Sequence, residues 1–278
     1  MQRLTFGSIT VEAVIDGSLK MSLTQVIPDA NLEAYAALGG VDAEGNVGAQ
    51  LTTFIIRAGN ELILVDTGIG PSLGSLADLD AGTPVGLLPA ALVAAGVTPE
   101  AVTAVISTHL HGDHIGWNVT GHDGTPRPMF PNARYIVTRT EWEHRATIAG
   151  RKSTAVCLDP IEAAGQLTLV DDGHRVAPGI ELLSTPGHTP GHTSVLVMGG
   201  GSGGVITGDL THHPGEIETP NVKMIFDSDP DQSMASRIAL VKRAEAEGLV
   251  VMGGHFPPPT AGRIVAVEGQ RRWQWLGA

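Results

Sequence analysis

The chain reads as an α/β protein, and three features predict it: short runs rich in β-branched residues, helical segments with marked starts and stops, and turn residues at the junctions between them. Its 278 residues are 42% hydrophobic, enough to bury a large core as one domain over residues 1–278. Leu51 to Leu64 reads as a hairpin about Gly59-Asn60, and Gly86 to Ala95 as a helix ending at Gly96. The β-branched run Ala101 to Ser107 follows as a buried strand. Arg134 to Val137 is a further strand, leading into a helix from Glu141 to Ile148 with Thr140 and Glu143 as its capping box. The second half repeats this rhythm. Strands near Leu167 to Val170, Ile180 to Ser184, Ser194 to Met198 and Val205 to Thr207 precede a helix from Pro230 to Glu247. Asp229 caps that helix, Pro230 fits its first turn and Gly248 ends it. The glycine run Gly199 to Gly204, flanked closely by apolar strands, is a hairpin turn rather than a linker. Met21 to Gln50 and Thr120 to Pro131 lack regular periodicity and are assigned to loops over the site or a subunit contact. The pattern is two β-rich halves, each covered by helices.

The densest chemistry lies in Thr108-His109-Leu110-His111-Gly112-Asp113-His114, directly after an apolar strand. Functional residues favour such strand-end loops. Alternating His109 and His111 can face one ion while Asp113 and His114 turn toward a second, and neutral imidazole with carboxylate suits zinc or a similar divalent metal. Other segments offer more donors. Thr185 to Thr193 is a Gly/Pro-punctuated loop carrying His188 and His192, Val205 to Asp209 ends a strand on a carboxylate, and Leu249 to His255 ends another on an imidazole.

This set of HxHxDH, GH, GD and GH, spread from about Val65 to His255, resembles the metallo-β-lactamase superfamily of metallohydrolases. The resemblance implies an αββα sandwich with two divalent metal ions, zinc, at the strand ends between the halves. It further implies that His109, His111 and His188 hold one ion, that Asp113, His114 and His255 hold the other, and that Asp209 bridges them. Val65-Asp66-Thr67-Gly68 resembles the family's early motif, whose aspartate supports the ligands rather than binding metal. His192 is structural in relatives of this kind. His111 keeps a nitrogen-rich set where flavodi-iron relatives have a carboxylate, which favours Lewis-acid chemistry over oxygen reduction. Asp209 stands where true β-lactamases usually lack a bridging carboxylate, which points to the lactonase, glyoxalase II, phosphotriesterase and nuclease-like branches.

Water bridging two divalent ions loses a proton near neutral pH, and the resulting hydroxide can attack a carbonyl or phosphoryl centre with no side-chain nucleophile. Asp113 can also shuttle a proton to the leaving group. Quorum-quenching lactonases commonly carry a tyrosine three residues after the bridging aspartate, where this chain has His212, a candidate donor to the developing oxyanion. His213 is a second candidate for the pocket mouth, whereas His122, His144 and His174 read as surface or structural residues. Trp117 and Phe256 fit either a pocket wall or the core. The lone Cys157 lies outside the motifs and reads as a buried thiol.

A formal charge of −12 argues against nucleic-acid binding, which gains its affinity from Lys and Arg, and lowers the nuclease branches. No stretch approaches a membrane span and no basic leader precedes an apolar run, so a cytoplasmic location is expected. The substrate expected first is a lactone such as an N-acyl homoserine lactone, then a phosphotriester or aryl ester. A glutathione thioester ranks third, because no evident basic glutathione-binding cluster follows His255. A metal-stabilised binding protein without turnover is the non-enzymatic alternative, and related enzymes suggest a homodimer.

Overall fold

The computed structural model describes residues 3–71, 85–121, 124–147 and 151–277. The first half opens with β1 (Arg3–Phe6), β2 (Ile9–Ser22), α1 (Leu23–Val26), α2 (Leu32–Ala37), β3 (Asn46–Ala58) and β4 (Glu61–Val65). It continues through α3 (Leu88–Ala94), β5 (Ala104–Ile106), α4 (Gly112–Ile115), β6 (Val119–Thr120), β7 (Arg127–Pro128), β8 (Arg134–Thr138), α5 (Arg139–His144), α6 (Arg151–Ala163) and β9 (Leu167–Val170). The second half comprises β10 (Arg175–Ala177), β11 (Ile180–Ser184), β12 (Thr193–Gly199), β13 (Ser202–Ile206), α7 (Gly215–Glu218), α8 (Pro230–Glu247), β14 (Val250–Met252), β15 (Ala261–Val267) and β16 (Gln270–Trp275).

Two seven-stranded sheets result, ordered β1-β2-β3-β4-β5-β8-β9 and β10 through β16 in sequence. Alternation along each strand explains how they stack. Ile63, Val65, Ala104, Ile106 and Ile136 of the first sheet meet Val195, Val197, Ile206, Val250 and Met252 of the second in one core. Leu62, Leu64, Val105 and Val137 face the other way, onto Leu88, Leu92, Leu158 and Ile161 of α3 and α6. Leu196, Val205 and Val251 likewise pack on Leu240, Val241 and Ala244 of α8. Both faces of the central strands are therefore buried, which is why they read as unbroken apolar runs. The layering is the expected αββα sandwich. No helix among the described residues is long and apolar enough to cross a membrane.

Several sequence assignments need correction. Thr138 caps α5, with its hydroxyl accepting from the Glu141 N–H at 3.3 Å, so the helix starts before the expected Thr140/Glu143 box. The segment from Met21 to Gln50 is not a continuous loop: it holds α1, α2 and the first residues of β3, whose partners run as far as Ser22↔Asn46. Thr120 to Pro131 contains the last residue of β6 and all of β7, and His122 lies outside the described residues. Helix α6 carries a proline at 160, a residue that argues against helix in sequence, yet the chain remains helical through Ala163. Other expectations hold: Gly200-Gly201 turn the β12–β13 hairpin, and Asp229, Pro230 and Gly248 delimit α8.

One irregularity in β2 bears on the site. Register shifts between Ile15 and Gly17, and the bulged residue Asp16 turns a fully buried carboxylate inward. Its Oδ2 accepts from the Ile69 and Gly70 N–H groups at 2.9 and 3.3 Å, and its Oδ1 from Leu88 N–H and Trp117 Nε1–H at 2.7 and 2.9 Å. Asp16 thus pins the segment after β4, the start of α3 and the segment after α4. Trp117 spends its indole N–H on this contact and packs against the α3 and α6 core, while Phe256 is buried against Trp273 and Trp275. For both, packing in the core is the outcome.

Candidate metal centre

Parallel pairing brings the chemistry to one place. Val65 lies opposite Ile106 in the β4–β5 pair, and Ile206 opposite Met252 in the β13–β14 pair, so the loops after all four strands leave the sandwich side by side. The Thr193 N–H donating to the Thr108 carbonyl at 2.9 Å and the Thr52 N–H donating to the Gly254 carbonyl at 3.2 Å stitch the two sheets together there. Glycines permit the tight approaches. Gly208 takes φ of 55°, and a Cβ there would stand 2.7 Å from the His192 ring, while a Cβ on Gly187 would stand 2.1 Å from the Ser233 nitrogen of α8.

Donor atoms of His109, His111, His188 and Asp209 lie within 4.8 Å of one another, as do those of Asp113, His114 and His255. All seven residues singled out in the sequence as ligands meet here. Asp209 stands between the groups: Oδ1 is 3.1 Å from both His114 Nε2 and His255 Nε2, while Oδ2 is 3.3 Å from His188 Nε2, 3.7 Å from His109 Nε2 and also 3.3 Å from His255 Nε2. Asp113 Oδ2 lies 3.7 and 3.8 Å from the His114 and His255 Nε2 atoms.

The outer nitrogens fix the protons. His114 Nδ1–H donates to Asp66 at 2.8 Å, His188 Nδ1–H to Asp227 at 3.0 Å, and His255 Nδ1–H to the Gln50 carbonyl at 2.6 Å. Thr108 gives its hydroxyl proton to Asp66, so its oxygen accepts from His109 Nδ1–H at 3.1 Å. The inner nitrogens of His109 and His188 are consequently lone pairs, and both aim at His111 Nδ1 from 3.0 and 2.9 Å. A single ring N–H cannot serve both. Buried His114 Nε2 and Asp209 Oδ1 also lack any hydrogen-bond partner. Converging lone pairs beside a buried carboxylate fit a divalent cation. Burial, reinforced by His114, holds His109 well below the usual histidine range, and burial with His188 lowers His111 to about 4, so both are neutral donors.

Residues 46–255 match the family profile of the metallo-beta-lactamase superfamily. The chain belongs to that superfamily. Its members' hydrolase chemistry accords with the donor set described above. This superfamily member is 31% identical over 207 residues to an N-acyl homoserine lactonase of Bacillus thuringiensis, a match spanning 69% of this chain and 76% of the relative. Among solved structures it is similar to the hydrolase AbOPH of the beta lactamase superfamily, with TM-score 0.84 and 22% identity over 99% of this chain and 97% of that one. It is also similar to AidC, a dizinc quorum-quenching lactonase bound to its product N-hexanoyl-L-homoserine, with TM-score 0.81 and 21% identity over 98% and 96% of the two chains. These two likenesses support the fold.

The remaining histidines separate cleanly. His192 donates Nδ1–H to the Thr185 carbonyl at 3.0 Å and accepts the Asp209 N–H on Nε2 at 3.0 Å, a structural role on the backbone of the central carboxylate. His213 turns away from the site: it donates to the Gly39 carbonyl at 2.8 Å and stacks on Tyr35 with ring centroids 4.9 Å apart. His212 stays with the cluster, its Nε2 3.5 Å from Asp209 and its ring stacked 5.5 Å from that of His255. Burial opposes charge on His212, but the carboxylates of Asp209 and Glu216 outweigh it and push its pKa up to about 10. His144 is exposed, His174 half-buried and Cys157 fully buried.

Sequence reasoning missed four buried groups around the site. Glu141 accepts Leu110 N–H on one oxygen at 2.9 Å and Gly191 N–H on the other at 3.0 Å, spanning the two histidine loops. Asp227, Glu216 and Arg237 form a second support beneath His188 and His212. The one available signal was Asp227 lying two residues before the Asp229 cap, in a stretch otherwise read only as a helix start.

The neutral state of His192 has a consequence for acid stability. Burial first, then the neighbouring His188 imidazole, lowers its pKa to about 3. The unfolded chain binds a proton near pH 6.5 that the folded chain refuses, so this group's contribution is fully present above about pH 6.5 and is lost as pH falls toward 3. In denaturant titrations of the metal-free protein from pH 7 to 4, replacing His192 by Gln is expected to lower stability at pH 7. The same replacement should flatten the acid dependence by roughly one proton; an unchanged slope would count against this assignment.

Proposed function

We propose that this chain is a dinuclear zinc hydrolase of small ester-like substrates, with a lactone such as an N-acyl homoserine lactone first. The observation that carries this reading is the placement of Asp209, whose carboxylate lies among the inner nitrogens of both histidine groups. On this reading His109, His111 and His188 hold one ion, Asp113, His114 and His255 the other, and Asp209 bridges. Bound there, the ions would supply a hydroxide near neutral pH and Lewis acidity toward the carbonyl oxygen. The similarity to a lactonase over 69% of the chain supports the substrate class.

The chain's own residues do the rest. Asp66, Asp227 and the Gln50 carbonyl hold the imidazoles by their outer nitrogens, so the inner nitrogens are pre-aimed. His212, with its Nε2 3.5 Å from Asp209, is placed to donate a hydrogen bond to the oxyanion as it develops. Asp113 is only partly buried at the edge of the cluster, so an oxygen of its carboxylate can take a proton and pass it to the leaving oxygen. Exposed Ile225 and Phe226, immediately before Asp227, offer apolar surface for an acyl chain in place of Trp117 and Phe256.

Acid release from N-hexanoyl homoserine lactone by zinc-loaded protein, beside a chelated control and an aryl phosphotriester, tests the reading. Fast lactone opening that the chelator abolishes is the expected result. Phosphotriester turnover without lactone opening would move the substrate to the organophosphate class, and metal-dependent folding without hydrolysis of either would leave a metal-stabilised binding protein. Within the reaction, Asp113→Asn should lower kcat by roughly 10²–10⁴-fold; full turnover by that variant with both metals retained would remove the proton-carrying role.

A further inference from the structure

Helix α8 presents one guanidinium to the interior, and it is wholly buried. Arg237 donates Nε–H to the Leu210 carbonyl at 2.8 Å and Nη1–H to the Val222 and Pro220 carbonyls at 2.6 and 3.3 Å. These bonds lock the planar fork to the segment between β13 and α8. The remaining nitrogen, Nη2, lies 3.3 Å from Glu216 Oε1 and 3.8 Å from Asp227 Oδ2. Each carboxylate turns its other oxygen toward a histidine of the site. Asp227 Oδ1 accepts from His188 Nδ1–H at 3.0 Å. Glu216 Oε2 accepts the backbone N–H groups of His212 and His213 and lies 3.7 Å from His212 Nδ1.

We infer that Arg237 is a positioning residue shared by both sides of the site: through Asp227 it aims His188, and through Glu216 it holds His212. The inference rests on the reading that His188 binds metal and His212 faces substrate. Two buried carboxylates this close together need a cation between them, and this one guanidinium faces both. Lysine would keep the charge but lose the fork that carries three carbonyls and two carboxylates at once. Disturbing Arg237 therefore disturbs two histidines that sit on different loops.

The test compares Arg237→Lys, Asp227→Asn and Glu216→Gln with Arg243→Lys, a control at an exposed pair on the same helix. Zinc affinity is read by chelator competition, the His188 Nδ1–H proton by NMR of the metal-free protein, and kcat and KM on whichever substrate the wild type hydrolyses. Arg237→Lys should weaken zinc binding on the order of 10–100-fold, as Asp227→Asn does, and also lower kcat as Glu216→Gln does. Combining Arg237→Lys with Asp227→Asn should weaken zinc binding little beyond Asp227→Asn alone, because both act through His188. A folded Arg237→Lys protein with wild-type zinc affinity and an unmoved His188 proton overturns the inference, as does full additivity of that pair. Should Arg237→Lys not fold, the cycle between Asp227→Asn and Glu216→Gln decides: departure from additivity in zinc affinity beyond about threefold supports a shared guanidinium, and strict additivity refutes it. Zinc affinity and the histidine proton need no substrate, so a failure of lactone turnover leaves this test intact.

Discussion

Asp209→Asn is expected to lose tight binding of the metal pair and most turnover together. The carboxylate is buried, with His114 and His255 beside one oxygen and His188, His109 and again His255 beside the other. Burial disfavours that charge, but His114 and His255 overcome it and hold the group well below the usual carboxylate range. An amide of the same shape supplies one neutral acceptor and turns a donor toward lone pairs. Two lost charged contacts at about 1.5–3 kcal/mol each amount to roughly 10²–10⁴-fold in turnover. Metal content by elemental analysis and kcat on the same preparation are the measurements. Full activity with two metals bound would refute the bridge.

Asp16→Ala is expected to have the largest effect on folding. Four donors from three segments end on this one buried carboxylate, and alanine removes the acceptor that all four share. Backbone relaxation and water entry recover part of the loss, which places the expected destabilisation at about 3–5 kcal/mol. Urea unfolding of the metal-free protein measures it directly. Asp16→Asn, which keeps one acceptor oxygen, should lose less. A change below about 1 kcal/mol would show that the three segments hold their places without Asp16.

Asp16 also shows where sequence reasoning stops. In sequence it is an acid inside a strand-like run, and nothing there reveals the bulge that turns it inward. The ligand set was legible because its donors are dense, punctuated by glycine and placed at the ends of apolar runs, and those runs were legible because both faces of each central strand are buried. The supports were not. Glu141, Glu216, Asp227 and Arg237 owe their roles to partners between 15 and 50 positions away for most contacts, and in sequence each resembles the solvated charges around it. Helix α5 went wrong by two residues for a related reason: Thr138 and Thr140 both suit a cap, and the fold chose the one that sends Glu141 to the histidine loops.

Glu141 spans those loops with no ion involved. One of its oxygens belongs to the side of the sandwich that supplies His109 and His111, the other to the side that supplies His188. The carboxylate acts as a splint laid across the seam, held there by hydrogen bonds from the protein's own backbone. Metal capture then resembles docking into a cast receptacle rather than the gathering of loose strands, and little ordering entropy is left to spend when the ion enters.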